Sequence, residues 1–280
     1  MNDLLSVLAP RLPTRPAALP LAACRRVRPY LLERAGIPQA GTAVLFTVPY
    51  LMAEDARDKG RNLSLYAVGR DYHAYIRQLE NALLPCLKET YPMHKFAFFA
   101  DHSPIAEVEA AARAGLGVVG ENQLLLTPQY GSFVFVAEIC TDMDYAEVTG
   151  GMSPPDATSP LPRCEGCGAC QIACPVAATG GSCLSALTQQ KGELSESDAE
   201  RLRRHDLAWG CDTCQLVCPH NRRALVGEAD TPIEYFRQAR MTHLDEDTLS
   251  GMDEETFSQR AYAWRGRHVL LRNLRLHSKE

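Results

Sequence analysis

The sequence predicts an α+β protein, α/β-like in its first half, built in three parts. Three observations predict it. Residues 1–150 alternate apolar strand-like runs with helical periodicity, residues 151–222 hold two cysteine runs, and residues 223–280 carry helical patterning. At 280 residues, 46% hydrophobic and 22% charged, the chain is long enough for one sizeable core plus a smaller module. No stretch approaches the roughly eighteen unbroken apolar residues of a membrane span. A net charge of -5 weighs against non-specific nucleic-acid binding, which needs a broad field of Lys and Arg.

In chain order, residues 1–40 read as a proline-rich irregular stretch in which CRRVRPYLLERAG turns helical. GTAVLFTVPY is an apolar, β-rich run bounded by Gly41 and Pro49, which suits a buried strand. From Tyr72, the spacing of Ile76, Leu79, Leu83 and Leu87 predicts an amphipathic helix that stops near Pro92. KFAFFAD is a second strand and delivers Asp101 at its C-terminal end, the edge at which open α/β sheets bind ligands. A carboxylate there is a catalytic candidate, with helix capping as the alternative use. PIAEVEAAARAGLG predicts a helix opening near Pro104 and closing at Gly115 and Gly117. NQLLLTP and GSFVFVAEIC read as two strands joined by a PQYG turn. GGMSPPDATSPLP is a linker by composition, and the remaining chain looks helical, with LSALTQQKGELSESDAERLRRHD as a polar helical insert. In the basic stretch YAWRGRHVLLRNLRL, Val269, Leu270 and Leu274 fall on the buried side of an amphipathic helix. Its arginines are either solvated or an RNA-facing patch.

The chemistry concentrates in residues 164–219. Cys164, Cys167, Cys170 and Cys174 stand at the C-x2-C-x2-C-x3-C-P spacing by which short loops wrap a cubic iron–sulfur cluster. Cys211, Cys214 and Cys218 repeat the end of that motif, and Cys183 lies between the runs. Eight thiolates make two sets of four. In two-cluster ferredoxins the fourth Cys of each run crosses to the other cluster. That rule assigns Cys164, Cys167, Cys170 and Cys218 to one [4Fe-4S], and Cys174, Cys183, Cys211 and Cys214 to the second. Zinc ribbons would use paired C-x2-C knuckles, whereas a third Cys two residues on and Pro after each final Cys favour iron–sulfur. A disulfide framework needs an oxidising compartment, and no signal-peptide-like apolar run opens the chain, so a cytoplasmic protein is expected. Cys24, Cys86 and Cys140 are expected to be structural. Two clusters make a wire, and the longer half of the chain in front of them points to a reductase. No G-x-G-x-x-G opens a helix after a strand, so a Rossmann nicotinamide site has no support.

These residues resemble the epoxyqueuosine reductases of tRNA queuosine synthesis. The likeness runs through LYAVGRDYH, FFADHSPIAEVEAAARAGLGVVGEN, GSFVFVAEI, the cysteine segment with CLSALT, GCDTCQLVCPHN and WRGRHVLLRNL. It implies a cytoplasmic oxidoreductase that removes the epoxide oxygen of epoxyqueuosine at the tRNA wobble position, using cobalamin reduced through the two clusters. It makes residues 1–150 a cobalamin-binding catalytic domain, 151–222 a ferredoxin-like double-cluster module and 223–280 a helical segment. It makes Asp101 the proton donor and also a cofactor contact, and places Tyr66, Leu125, Ser132, Ser185 and Asp212 along the corrinoid and substrate cavity. The implied partners are the tRNA anticodon loop and an electron donor such as flavodoxin or ferredoxin, with no membrane and a monomeric chain.

The sequence departs from the family twice. Family members commonly have Lys where this chain has Glu121, and better-known members continue into C-terminal helical repeats, so a short member is expected. The alternatives are a corrinoid and iron–sulfur reductase acting on another substrate, and a ferredoxin-type electron carrier.

Overall fold

The computed structural model describes residues 3–177 and 180–277; the last three residues of the predicted helical tail lie outside them. The chain divides into two compact units, residues 1–49 with 73–167, and residues 50–72 with 168–280. The division differs from the sequence-based one at 150/151 and 222/223. A single excursion, residues 50–72, belongs with the cysteine-bearing part, and Cys164 and Cys167 belong with the first.

The first unit is built on a four-stranded antiparallel sheet in the order β1-β2-β6-β3, with β1 at Ala17–Pro20, β2 at Thr42–Pro49, β3 at Phe96–Ala100 and β6 at Val134–Thr141. β2 is buried at every position, as its unbroken apolar run predicts, and β6 runs beside it from Thr42↔Thr141 to Pro49↔Val134. Side chains alternate across a strand, so Val136, Glu138 and Cys140 of β6 share one face. Helix Glu107–Arg113 covers that face, and its Ala110, Ala111 and Ala112 join Leu45, Ala43, Ala97 and Cys140 in one apolar cluster. Small alanines let the helix lie close. The Tyr72–Thr90 helix forms as its periodicity predicts, with Ile76, Leu83 and Leu87 buried.

Three expectations need correction. The sheet is antiparallel, so Asp101 does not sit at the ligand-binding edge of a parallel sheet; it follows an edge strand of an antiparallel one. The helix after it opens at Glu107, not near Pro104. The carbonyl of Pro104 accepts the N–H groups of Val27 and Arg28, which ties residues 101–106 down as a loop. The PQYG turn does close, through reciprocal bonds between Thr127 and Gly131, but its arms serve different sheets. β5, Leu125–Leu126, pairs instead with β4, Val118–Val119, because Gly117 and Gly120 let the chain fold back first.

The second unit is helical. Trp209 and Tyr262 meet edge to face in its main cluster, with Leu63, Leu244, Leu249, Phe257, Val269 and Leu270. Helix Arg267–Arg275 buries Val269, Leu270 and Leu274 as expected; of its arginines Arg275 is exposed, while Arg267 and Arg272 are half-buried against their own chain. Arg272 donates to the carbonyls of Gln190 and Gly192, both at 2.6 Å, and to Leu187, and so satisfies carbonyls at the C-terminal end of helix Leu184–Gln189. Arg267 donates to the carbonyls of Leu249 and Met252, and Arg275 pairs with Glu246 at 3.0 Å.

A Cβ at Gly117 would stand 2.3 Å from the carbonyl oxygen of Leu126. Gly117→Ala is expected to force the β4–β5 pair apart and cost about 1–3 kcal/mol, measured by thermal unfolding. Unchanged stability would show that the pair yields freely.

Candidate functional site

The cysteine loops of the second unit are shaped for wrapping. Gly168 has φ +75, a left-handed conformation open to Gly without a Cβ penalty, and it turns the chain into helix Ala169–Ala173 between Cys167 and Cys174. Helix Thr213–Leu216, which carries Cys214, packs on Ala169–Ala173, which carries Cys170. Cys174 and Cys211 rest on the same small apolar cluster of Val176, Leu184, Leu187 and Leu202. Cys183 caps helix Leu184–Gln189, close enough for its charge to reach Cys211. Three members of the second assigned set are therefore neighbours. In the first unit, Cys164 is fixed by its N–H, which donates to the carbonyl of Val119 at 3.0 Å.

None of the eight cysteines is in a disulfide, none is fully buried, and Cys167 and Cys183 are exposed. Among the described residues, no three His, Cys, Asp or Glu side chains converge on a point that would hold a single ion. Eight accessible thiols on paired loops fit the donor chemistry of two [4Fe-4S] clusters. Cys24 and Cys140 are buried and Cys86 is half-buried. Burial pushes the Cys24 thiol up to about 12, out of reach of thiolate chemistry.

Asp212 is only 3% exposed and its carboxylate is fully engaged. It receives Arg61 Nη1 at 2.6 Å, Ser64 Oγ at 2.5 Å, the Leu65 N–H at 2.9 Å and Gln215 Nε2 at 3.1 Å. Tyr66 Oη accepts from Trp209 Nε1 at 2.7 Å, and Ser185 Oγ accepts from Gln189 Nε2 at 3.2 Å. Tyr66, Ser185 and Asp212 thus lie in the second unit. Leu125 and Ser132 lie buried in the first, with Asp101.

Asp101 occupies a left-handed backbone conformation, φ +62, uncommon for a residue with a side chain. Its carboxylate is 70% exposed and lies 3.9 Å from His73 Nε2, at the rim of a cleft of about 350 Å3 that Arg28, Glu107 and Gln123 also line. The burial that would keep an acid protonated is found six residues on, at Glu107. The Asp101 N–H donates to Glu107 Oε2 at 3.0 Å. Glu107 is half-buried, and desolvation of its carboxyl, then the charge of Asp101, push it up to about 7. Behind it Glu138, fully buried in β6, is pushed well above the usual carboxylate range, by burial first and Glu107 second. Glu138 Oε1 meets Ser103 Oγ, which also bonds the carbonyl of Ile105 at 2.9 Å, while Oε2 has no partner among the described residues. A protonated Glu138 satisfies this geometry, since one serine hydrogen cannot serve both acceptors.

The sequence reading missed Glu107, Glu138 and Asn122. The signal for Glu138 was present: a carboxylate inside the apolar run SFVFVAEIC. Asn122, in the turn between β4 and β5, leaves a buried amide nitrogen without a partner among the described residues. Such an orphan donor, beside the buried Leu125, suits a bound polar group with apolar bulk, and to that extent the first unit fits the corrinoid that the resemblance implies.

Eight cluster-type thiols in one chain that also displays an exposed acid define an iron–sulfur protein with two cluster sites. Residues 163–221 match a family model described as 4Fe-4S double cluster binding domain, and residues 28–102 match one described as Epoxyqueuosine reductase QueG, DUF1730. An epoxyqueuosine reductase of Listeria monocytogenes is 32% identical over 264 residues, 89% of this chain and 65% of that protein. These matches support the epoxyqueuosine reductase family. It spans 65% and 51% of the Listeria monocytogenes and Aliivibrio fischeri relatives. The fold also matches a crystal structure of epoxyqueuosine reductase with an epoxyqueuosine-modified tRNA-Tyr stem loop, at TM-score 0.70 and 22% identity over 98% of this chain and 79% of the other. A Bacillus subtilis epoxyqueuosine reductase with its catalytic aspartate loop swung out of the active site matches at TM-score 0.67 and 23% identity, over 94% and 76%. No helix among the described residues is long and apolar enough to cross a membrane.

Two outcomes check these assignments. Asp212→Ala would leave Arg61 buried without its partner, at a cost of about 3–5 kcal/mol that denaturant unfolding would register; a loss near zero would return Asp212 to a purely contact role. Anaerobic reconstitution is expected to give about eight iron atoms per chain, four for each cubic cluster. Cys183→Ala should lower that content and Cys24→Ala should not; bound zinc without iron would end the cluster assignment.

Proposed function

We propose that this protein is an oxidoreductase that removes the epoxide oxygen of epoxyqueuosine in tRNA. The observation that carries the reading is the pairing of an eight-thiol, two-cluster array with an acid held outward on a fixed loop. An electron carrier needs the first and has no use for the second. Removing an epoxide oxygen as water takes two electrons and two protons, and two [4Fe-4S] clusters held by the eight cysteines would supply the electrons. Bound cobalamin supplies the low-valent cobalt that acts on the carbon–oxygen bond. Tyr66, Leu125, Ser132, Ser185 and Asp212, with Asp101, are the residues we assign to its contacts, and Asn122 joins them as a buried donor. Asp101 supplies the proton to the departing oxygen: it is exposed at a cleft, and its backbone is held by Glu107.

The substrate contact is the anticodon loop, and the electrons come from a small carrier such as flavodoxin or ferredoxin. We assign a single chain as the working form and the cytoplasm as its location. Arg28 and Gln123, which line the Asp101 cleft, are cationic and amide groups available to phosphate and base edges. Arg267 and Arg272 are committed to carbonyls of their own chain, whereas Arg275 is exposed and available to phosphate.

Conversion of epoxyqueuosine-containing tRNA by the reconstituted chain tests the reading. Asp101→Asn is expected to lower turnover by a factor of about 10² to 10⁴ while iron and cobalamin content stay unchanged. Full activity in that variant would defeat the assignment of Asp101, and a wild-type chain that binds both cofactors yet never turns over would favour an electron carrier.

A further inference from the structure

We propose that Glu107 is a positioning residue for Asp101, a carboxyl latch that holds the Asp101 loop closed while Glu107 is protonated and releases it when Glu107 ionises. The inference rests on the reading of Asp101 as the proton donor. Glu107 begins its helix and reaches back six residues to accept the Asp101 N–H at 3.0 Å, across a loop otherwise pinned by Pro104 and Ser103. That bond and the His102 N–H, which donates to the carbonyl of Ala100 at 2.6 Å across Asp101, together hold the φ of +62. A left-handed residue with a side chain persists only where its surroundings hold it, and it relaxes when they let go.

The groups facing Glu107 decide which protonation state closes the latch. Burial and then the Asp101 carboxylate disfavour a charge on Glu107; the Asp101 N–H, by less than that carboxylate opposes it, and then Arg28 and His73 favour one, while Glu138 lies neutral beneath. Burial and the Asp101 carboxylate outweigh the rest, so the net shift of the Glu107 carboxyl is upward, to about 7. A group whose pKa is raised in the folded state stabilises that state below its unfolded value, near 4.5, and the contribution is lost as pH rises through about 7. The closed loop is therefore favoured on the acidic side. There the neutral Glu107 carbonyl oxygen still accepts the Asp101 N–H, and no second charge is held beside the Asp101 carboxylate. Glutamine in its place would accept the same bond and never ionise.

Amide hydrogen exchange of residues 101–106, corrected for intrinsic rates and followed from pH 6 to 8 in the chain as purified, reads the latch without any turnover. In the wild type, protection of the Asp101 amide should fall roughly tenfold across this range. Glu107→Gln should keep it flat and high. Glu107→Ala should lose about tenfold throughout, the scale of one hydrogen bond. Turnover on tRNA should follow the same pattern, with a limb near pH 7 that Glu107→Gln abolishes and a fall in kcat rather than a rise in KM for Glu107→Ala. Identical pH dependence in the wild type and Glu107→Gln would overturn the latch, as would undiminished protection in Glu107→Ala. If the exchange results hold and no variant acts on tRNA, the latch stands and the proposed reaction falls.

Discussion

The cysteine-bearing unit depends on one buried charge. Loops that present thiols outward cannot also present apolar side chains inward at the same density, so the second run has little hydrophobic core of its own. Asp212 substitutes for it. Placed between Cys211 and Thr213, its carboxylate gathers the guanidinium of Arg61, the hydroxyl of Ser64 and the N–H of Leu65, and so fastens the run to residues 61–65. Arg61 in turn donates to the carbonyl of Leu63 at 2.6 Å. Removing either partner strands the other in a place that water does not reach, which is why such a pair holds geometry more than it adds free energy. The same bonds explain why residues 50–72 join the C-terminal unit.

The first unit shows the same economy in neutral form. Glu138 sits at the middle of β6, opposite Leu45 on one side and Phe99 on the other. A carboxylate there would be prohibitively desolvated, and a carboxylic acid is tolerated because Ser103 meets it. The serine belongs to the loop after Asp101. An acid inside the sheet thereby organises the backbone that displays an acid outside it.

Much of this was legible in the sequence, for physical reasons that differ by element. β2 and the Tyr72–Thr90 helix announce themselves because their burial patterns are local. The thiol spacing is equally local, since a loop of fixed reach must surround a cluster of fixed size. The partner of β5 was not legible: its run looks like the first arm of a hairpin, and only the close approach at Gly117 sends it to β4 instead. The direction of the sheet was not legible either, because alternation of strand and helix suggested crossovers where β2, β6 and β3 pair antiparallel. Glu107 escaped notice because it reads as an ordinary first-turn acid on an amphipathic helix; nothing in its neighbours reveals Glu138 lying beneath it. Asp101 was found for its chemistry while the topological reason offered for it did not hold.

The φ of +62 at Asp101 sets stability and chemistry against each other at one position. Left-handed backbone favours glycine, and after it asparagine. A lineage selected for folding alone would drift toward those residues, and either would erase the carboxyl without disturbing the surrounding packing. Aspartate, whose short polar side chain tolerates this region better than most, fills it at some cost and keeps at the cleft a carboxyl that neither glycine nor asparagine would supply.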